Sequence, residues 1–197
     1  MNPSNIRSFL RTGLGLARAF LVTALFAGVL AARAATPPQV GDDAPAFTLK
    51  TLDDQPVDFA QVSAGRTTVL VLLRGWPGYQ CPFCTLQVHE YIEHAADFAA
   101  RKVDIVLVYP GPADDLRAHA QEFTKGKSWP PGFHFVLDPD YAFTNSQGLR
   151  WDQKGETSYP STFIIGLDGK VCFAQISHEH GDRVAAAAVL RWLDGKK

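Results

Sequence analysis

Cysteine is scarce in this chain, at 3 of 197 residues. Such scarcity argues against a scaffold stapled by several disulfides, and a lone C-x-x-C without a second pair leaves a structural zinc site short of ligands. Positive charge is not in excess either, the formal net charge being −1. Neither nucleic acid nor an anionic membrane is therefore a natural partner. A run long enough to span a bilayer is missing from the opening stretch, where the uncharged segment Ala19 to Ala32 covers 14 residues against the roughly 20 required. Internal repeats and low-complexity tracts are absent beyond residue 34.

What is present at the start has the form of a secretory leader. Arg7, Arg11 and Arg18 precede the apolar run, and Ala32-Arg33-Ala34 closes it as an A-x-A cleavage site. Residues 1–34 are expected to be a signal peptide and residues 35–197 one domain, secreted to the periplasm, with no stable membrane span after cleavage. No Cys stands at the cleavage position, so a lipid-attached form is not indicated. The mature chain would carry 15 basic and 20 acidic residues, a formal charge of −5.

The rest reads as strands alternating with helices. AFTLKTLDDQPVDF holds two short strand-like pieces around the turn Asp53 to Pro56. TTVLVLLR, Thr67 to Arg74, is apolar and β-branched throughout, as in a strand buried on both faces. From Pro82 to Arg101 apolar residues recur at three- and four-residue steps, which predicts one amphipathic helix. VDIVLVYPG, a polar helix from Pro112 to Lys125, FHFVLD and a helical turn at Tyr141 to Gln147 follow. STFIIGLDGKVCFAQI then forms a hairpin about Asp168-Gly169, and Gly181 to Gly195 a last helix. This order predicts an α/β fold: a central mixed β-sheet flanked by helices, with an N-terminal β-hairpin extension and a late antiparallel edge.

Cys81 and Cys84, in RGWPGYQCPFCTLQ, fall between the buried strand and the helix. At a helix N-terminus unpaired N–H groups and the macrodipole favour a thiolate, the nucleophilic form of cysteine. In an oxidising compartment such a pair suits a redox cycle. The loop Trp76, Pro77, Gly78, Tyr79, Gln80 offers aromatic surface to a substrate or partner.

GDDAPAFTL, FVLDPDYAFTNSQGL and TFIIGLDGKV, with Pro77, Cys81, Cys84 and Gln87, resemble the thioredoxin-like superfamily. The resemblance covers nearly the whole mature chain and is nearest to the peroxiredoxin-related redoxins of the alkyl hydroperoxide reductase and thiol-specific antioxidant type. It implies a thioredoxin-like fold, a hydroperoxide or protein-disulfide substrate, an external thiol electron donor, and no cofactor or metal. Two departures stand out. Cys81 occupies the family's Thr position, and Pro160 in Tyr159-Pro160-Ser161-Thr162 stands where such peroxiredoxins place an Arg. That Pro resembles the cis-proline of thioredoxins, which helps dock a partner chain.

The two parents assign the nucleophile differently. Peroxiredoxin register makes Cys84 the peroxidatic residue with Cys81 resolving it. Thioredoxin logic reverses the roles, with Cys81 capping the helix and more exposed, and the periodicity that aligns Cys84 with Val88 and Tyr91 favours this order. The candidate catalytic residues are Cys81, Cys84 and Pro160, and the candidate substrate contacts are Arg74, Trp76, Pro77, Tyr79, Tyr159 and Thr162. Arg74 has two readings: it either lowers a thiol pKa and polarises peroxide, or pairs with an acid such as Asp138. Glu90 is expected on a solvated face, and Cys172 as an inert strand residue near Ile164. Copper chaperones of the Sco type resemble the same frame, so His89, His94, His178 or His180 are the alternative third ligands beside the dithiol.

Overall fold

The computed structural model describes residues 35–195; the expected leader falls outside them. The turn at Asp53 to Pro56 returns the chain on itself, and β1 (Thr48–Lys50) pairs antiparallel with β2 (Pro56–Asp58), Leu49 opposite Val57. Asp58 then caps α1 (Phe59–Ser63), its carboxylate accepting from the Ala60 and Gln61 N–H groups at 2.9 and 3.4 Å. Five residues are too few to show a helical period, which is why α1 has no signature in the apolar pattern.

β3 (Thr67–Leu72) lies inside the sheet, parallel to β4 (Val103–Gly111) and antiparallel to β6 (Ser161–Ile165). β4 pairs parallel with β5 (Phe133–Pro139), and β6 pairs antiparallel with β7 (Val171–Ile176). The seven strands run β2-β1-β5-β4-β3-β6-β7. The expected mixed sheet, N-terminal hairpin and antiparallel late edge are all present.

Helices cover both faces. Val69, Val71 and Leu73 pack with residues of α2 (Pro82–Glu93), α3 (Ala95–Ala100), α4 (Leu116–Thr124) and α6 (Ala186–Asp194). Leu70 and Leu72 point the other way, toward Phe59 of α1 and Phe143 of α5 (Ala142–Ser146). Period-two alternation with apolar partners on both sides is what makes β3 read as one continuous apolar run. Burying one such side chain contributes about 1.5–3 kcal/mol, so the stem leading to the cysteines is rigid. Among the described residues no helix is long and apolar enough to cross a membrane.

Three expected boundaries move. The single helix expected from Pro82 to Arg101 is two, joined at His94, where Nδ1 meets the Asp97 carboxylate at 2.8 Å. Tyr91 of α2 and Phe98 of α3 both face the core, their rings stacked 5.6 Å apart. The polar helix starts at Leu116 rather than Pro112, after Asp115 takes a left-handed φ of 60°. The last helix starts at Ala186 rather than Gly181, because the backbone before it is engaged elsewhere: the Val184 carbonyl accepts from Gln87 and from the Tyr91 hydroxyl.

Asp138, at the end of β5, does not pair with Arg74. It is fully buried and its carboxylate accepts from the Phe143 and Thr144 N–H groups at 2.8 and 2.9 Å and from the Thr144 hydroxyl at 2.6 Å. Asp138→Ala leaves those donors without a partner, and the expected loss is about 3 kcal/mol of folding stability, measured by denaturant unfolding.

Candidate active site

The site begins where β3 ends. Hydroxyls of Ser158 and Thr157 donate to the carbonyls of Leu73 and Arg74, fixing the chain before it turns. Gly75 makes the turn with φ +68°, and a Cβ there would overlap the Pro110 carbonyl oxygen, which accepts the Trp76 N–H at 3.0 Å. Trp76 stacks on His119 at 3.6 Å, and Pro77 is half-buried beside it. Gln80 donates to the His119 carbonyl and the Glu122 carboxylate and accepts from the Tyr109 hydroxyl. The loop is thereby moored to α4 and β4.

Cys81 is the N-cap of α2, with Pro82 in the first turn. Its sulfur accepts from the Cys84 N–H at 3.3 Å. The Cys84 thiol also donates to it, and that bond is the main reason the Cys81 pKa is pulled down to about 5, against burial and with help from Arg183 and Arg74. For Cys84, burial among the core residues pushes the thiol well up, and the neighbouring Cys81 adds to the shift. The pair is thus asymmetric, the helix cap favouring the anion on Cys81 and burial disfavouring it on Cys84.

The expectation that Cys81 is the more exposed thiol fails: Cys81 is 1% and Cys84 0% exposed. Electrostatics, not exposure, separates the two. Because a lowered thiol pKa keeps the anion down to the acid side of neutrality, alkylation of Cys81 by iodoacetamide should hold its plateau to about pH 6 and reach half at about pH 5. In denaturant the midpoint should return to about 8.5. A pH series of alkylation rates with peptide mapping reads both.

Arg74, 3% exposed, donates through Nε to Glu156 at 2.9 Å, through Nη1 to the Tyr79 hydroxyl and through Nη2 to the Gly155 carbonyl. Its acid is Glu156, not Asp138. The other oxygen of Glu156 meets His180 Nε2 at 2.9 Å. Tyr79 is half exposed, its ring flanking the Arg74 guanidinium. Tyr159 stacks on Trp151 and faces His178. The Pro160 carbonyl accepts the Ser177 N–H, and Pro160 lines a small depression with Gln87, Thr162 and Arg183. Thr162 is buried in β6 and engages the Tyr91 hydroxyl.

Sequence reasoning missed Arg183. From the loop between β7 and α6 its Nη2 stands 3.6 Å from both Cys81 Sγ and Cys84 Sγ, while Nη1 donates to Gln87 and Nε to the His180 carbonyl. No local pattern marks it; a lone cation between the last strand and the last helix was the only sign available. Glu90 is another correction, half-buried and accepting from the Ala187 N–H of α6 at 3.4 Å. Cys172 lies at the bulge of β6 and β7 and donates to the Ile164 carbonyl at 3.2 Å. The four histidines are placed with other partners: His89 with Glu93, His94 with Asp97, His178 against Tyr159 and His180 with Glu156. Among the described residues no three His, Cys, Asp or Glu side chains form a metal-holding group.

A mixed sheet that delivers a dithiol to a helix N-terminus, with the pKa of the capping thiol lowered, defines a thioredoxin-fold thiol oxidoreductase. The chain belongs to the redoxin family, whose model matches residues 39–190, and within it is peroxiredoxin-related. A Mycobacterium tuberculosis protein named Putative peroxiredoxin is 27% identical over 150 residues, covering 74% of this chain and 89% of its own. Among solved structures, a yeast mitochondrial 1-Cys peroxiredoxin superposes with a TM-score of 0.64 at 18% identity, over 79% of this chain and 75% of that one. Reduced Prx3 of Vibrio vulnificus in complex with hydrogen peroxide gives 0.61 at 24% identity, over 79% and 98%.

Proposed function

We propose that the protein is an antioxidant thiol peroxidase that reduces hydroperoxides, with Cys81 attacking and Cys84 resolving. The carrying observation is the asymmetry of the pair: the Cys81 sulfur caps α2 and accepts from Cys84, which lowers its pKa, whereas Cys84 lies in the core, where burial raises its own. The peroxiredoxin register favours Cys84 as the attacking residue, but burial makes a thiolate there the costlier species even with Arg183 beside it.

In the first step the Cys81 thiolate attacks the terminal, hydroxyl-bearing peroxide oxygen. An S–O bond forms, the O–O bond breaks, and the leaving alkoxide takes a proton to give the alcohol, or water from hydrogen peroxide. Cys84 then gives up its proton and attacks the sulfenic sulfur, expelling the hydroxyl as water and closing the disulfide. Two thiols and one hydroperoxide become one disulfide, one alcohol and one water. An external dithiol returns both cysteines to the reduced state. Arg74, Trp76, Pro77, Tyr79, Tyr159, Pro160 and Thr162 belong to the proposed surroundings of this chemistry, and the proposed compartment is the periplasm, a reading supported by the N-terminal leader motif.

A second reading is thiol-disulfide exchange with partner proteins. It is favoured by one observation, Pro160 at the depression shared with Gln87 and Arg183. Stopped-flow oxidation of the reduced protein separates the two readings. Peroxidase function predicts a second-order rate with hydrogen peroxide several orders of magnitude above that of a free thiol. A peroxide rate no better than free cysteine, with fast equilibration against oxidised glutathione, would install exchange instead.

A further inference from the structure

Both sulfurs are shut off from solvent, Cys81 at 1% and Cys84 at 0% exposure, although Cys81 caps a helix whose first turn is exposed at Pro82 and Phe83. The segment between β7 and α6 lies against them, with Arg183 Nη2 at 3.6 Å from each. It is pinned at both ends. The Ser177 N–H donates to the Pro160 carbonyl at 2.8 Å, and the Val184 carbonyl accepts from Gln87 and the Tyr91 hydroxyl at 3.3 and 3.2 Å. Between these pins residues 178–183 fold on themselves: Ser177 Oγ bonds both the N–H and the carbonyl of Glu179, and the His180 carbonyl accepts from Arg183 Nε at 2.9 Å.

Side chains hold this tip to the body. His180 Nε2 meets Glu156 Oε1 at 2.9 Å. Glu156 cannot follow a moving tip, because its other oxygen accepts from the buried Arg74, which also donates to the Gly155 carbonyl at 2.7 Å. From α2, the half-exposed Phe83 ring rests on Gly181, where a Cβ would stand 3.4 Å from Cε1. A partly exposed ion pair and a single ring contact are weak restraints. The tip can therefore lift while its pins and the sheet stay in place.

We propose that residues 178–183 are a lid over the dithiol, latched by His180 on Glu156 and by Phe83 on Gly181, which selects small hydroperoxides over bulky ones. The substrate class rests on the peroxidase reading above; the lid itself does not. With the lid down, the depression that Gln87, Pro160, Thr162 and Arg183 share measures about 150 Å³. Sites that hold drug-sized ligands start at roughly 300 Å³, so an aryl or long acyl tail has no place there. Hydrogen peroxide needs only a slight opening. A bulky hydroperoxide needs the tip displaced and reacts in proportion to the open fraction. Loosening a latch raises that fraction without altering either cysteine.

The experiment compares reduced wild type, His180→Ala and Phe83→Ala, with thermal unfolding to confirm the fold. Stopped flow gives the rates with hydrogen peroxide and with cumene hydroperoxide. Peptide mapping gives the rates at which iodoacetamide and the larger fluorescein maleimide label Cys81. Within each pair both reagents need the same thiolate, so a change in the bulky-to-small ratio reports access, whereas damage to the site lowers both rates together. Wild type should prefer hydrogen peroxide by roughly 100-fold, and His180→Ala should raise the bulky-to-small ratio about tenfold in both pairs. Phe83→Ala should raise it about threefold. Comparable rates with the two hydroperoxides in wild type would overturn the proposal, as would an unchanged ratio in His180→Ala. If His180→Ala fails to fold, an unchanged ratio in Phe83→Ala overturns it. Failure of the peroxidase reading would look different: wild type would react with neither hydroperoxide faster than a free thiol does, while the alkylation ratio would still rise on unlatching.

Discussion

Cys81→Ser is expected to lower the rate of reaction with hydrogen peroxide by roughly 1000-fold or more, to the level of an unactivated thiol. The Cys84 that remains is buried in the core with its thiol pushed well up, so little thiolate is available to attack. Cys84→Ser should behave differently. A serine hydroxyl can still donate to the Cys81 sulfur, and a pKa rising from about 5 by one or two units leaves most of Cys81 ionised at about pH 8. The first oxidation should therefore stay within about tenfold of wild type, while turnover stops because no thiol closes the disulfide. Stopped-flow fluorescence of the two variants at equal protein concentration reads the difference. Equal losses in both would mean that the sulfurs act only as a unit.

Gly75→Ala is expected to be the most damaging single-methyl change in the loop. An L residue at φ +68° is strained by about 1 kcal/mol or more, and the added Cβ overlaps the Pro110 carbonyl. Relief requires moving either β4 or the loop, and the latter shifts Trp76, whose N–H bonds that carbonyl. Together the two effects should lower stability by about 3 kcal/mol. Denaturant unfolding measures that loss, and the peroxide rate of the fraction that stays folded should fall with the displaced Cys81. A variant as stable and as fast as wild type would show that the turn is not needed to present the pair.

Much of the frame was legible because it is written in short-range patterns. The apolar run of β3, the Pro at the start of α2, the turn at Asp168-Gly169 and the placement of Cys172 beside Ile164 each depend on neighbours within one or two elements. The two cysteines were legible for the same reason, as a strand-loop-helix junction. What escaped was long-range and polar. Arg183 is 102 residues from Cys81, and Glu156 is 82 residues from Arg74, separations at which no period or cap connects the partners. The start of α6 was misplaced by the same cause, since Val184 and Arg183 are held by the site instead of by a helix. Burial of Cys81 followed suit: a helix cap suggests access to solvent, but Arg183 and the loop that carries it lie against the sulfur. The α1 helix escaped on length alone.

The identity of the attacking sulfur is the central claim, and trapping the sulfenic acid tests it most directly. Reduced Cys84→Ser protein would be given an equimolar dose of hydrogen peroxide in the presence of dimedone, with Cys81→Ser treated in parallel, and the adducts located by peptide mass spectrometry. Cys81 should carry the dimedone adduct in the first protein, and Cys84 should remain unlabelled in the second. An adduct on Cys84 in Cys81→Ser, with Cys81 unlabelled in Cys84→Ser, would contradict the assignment and return the peroxidatic role to the sulfur in the core.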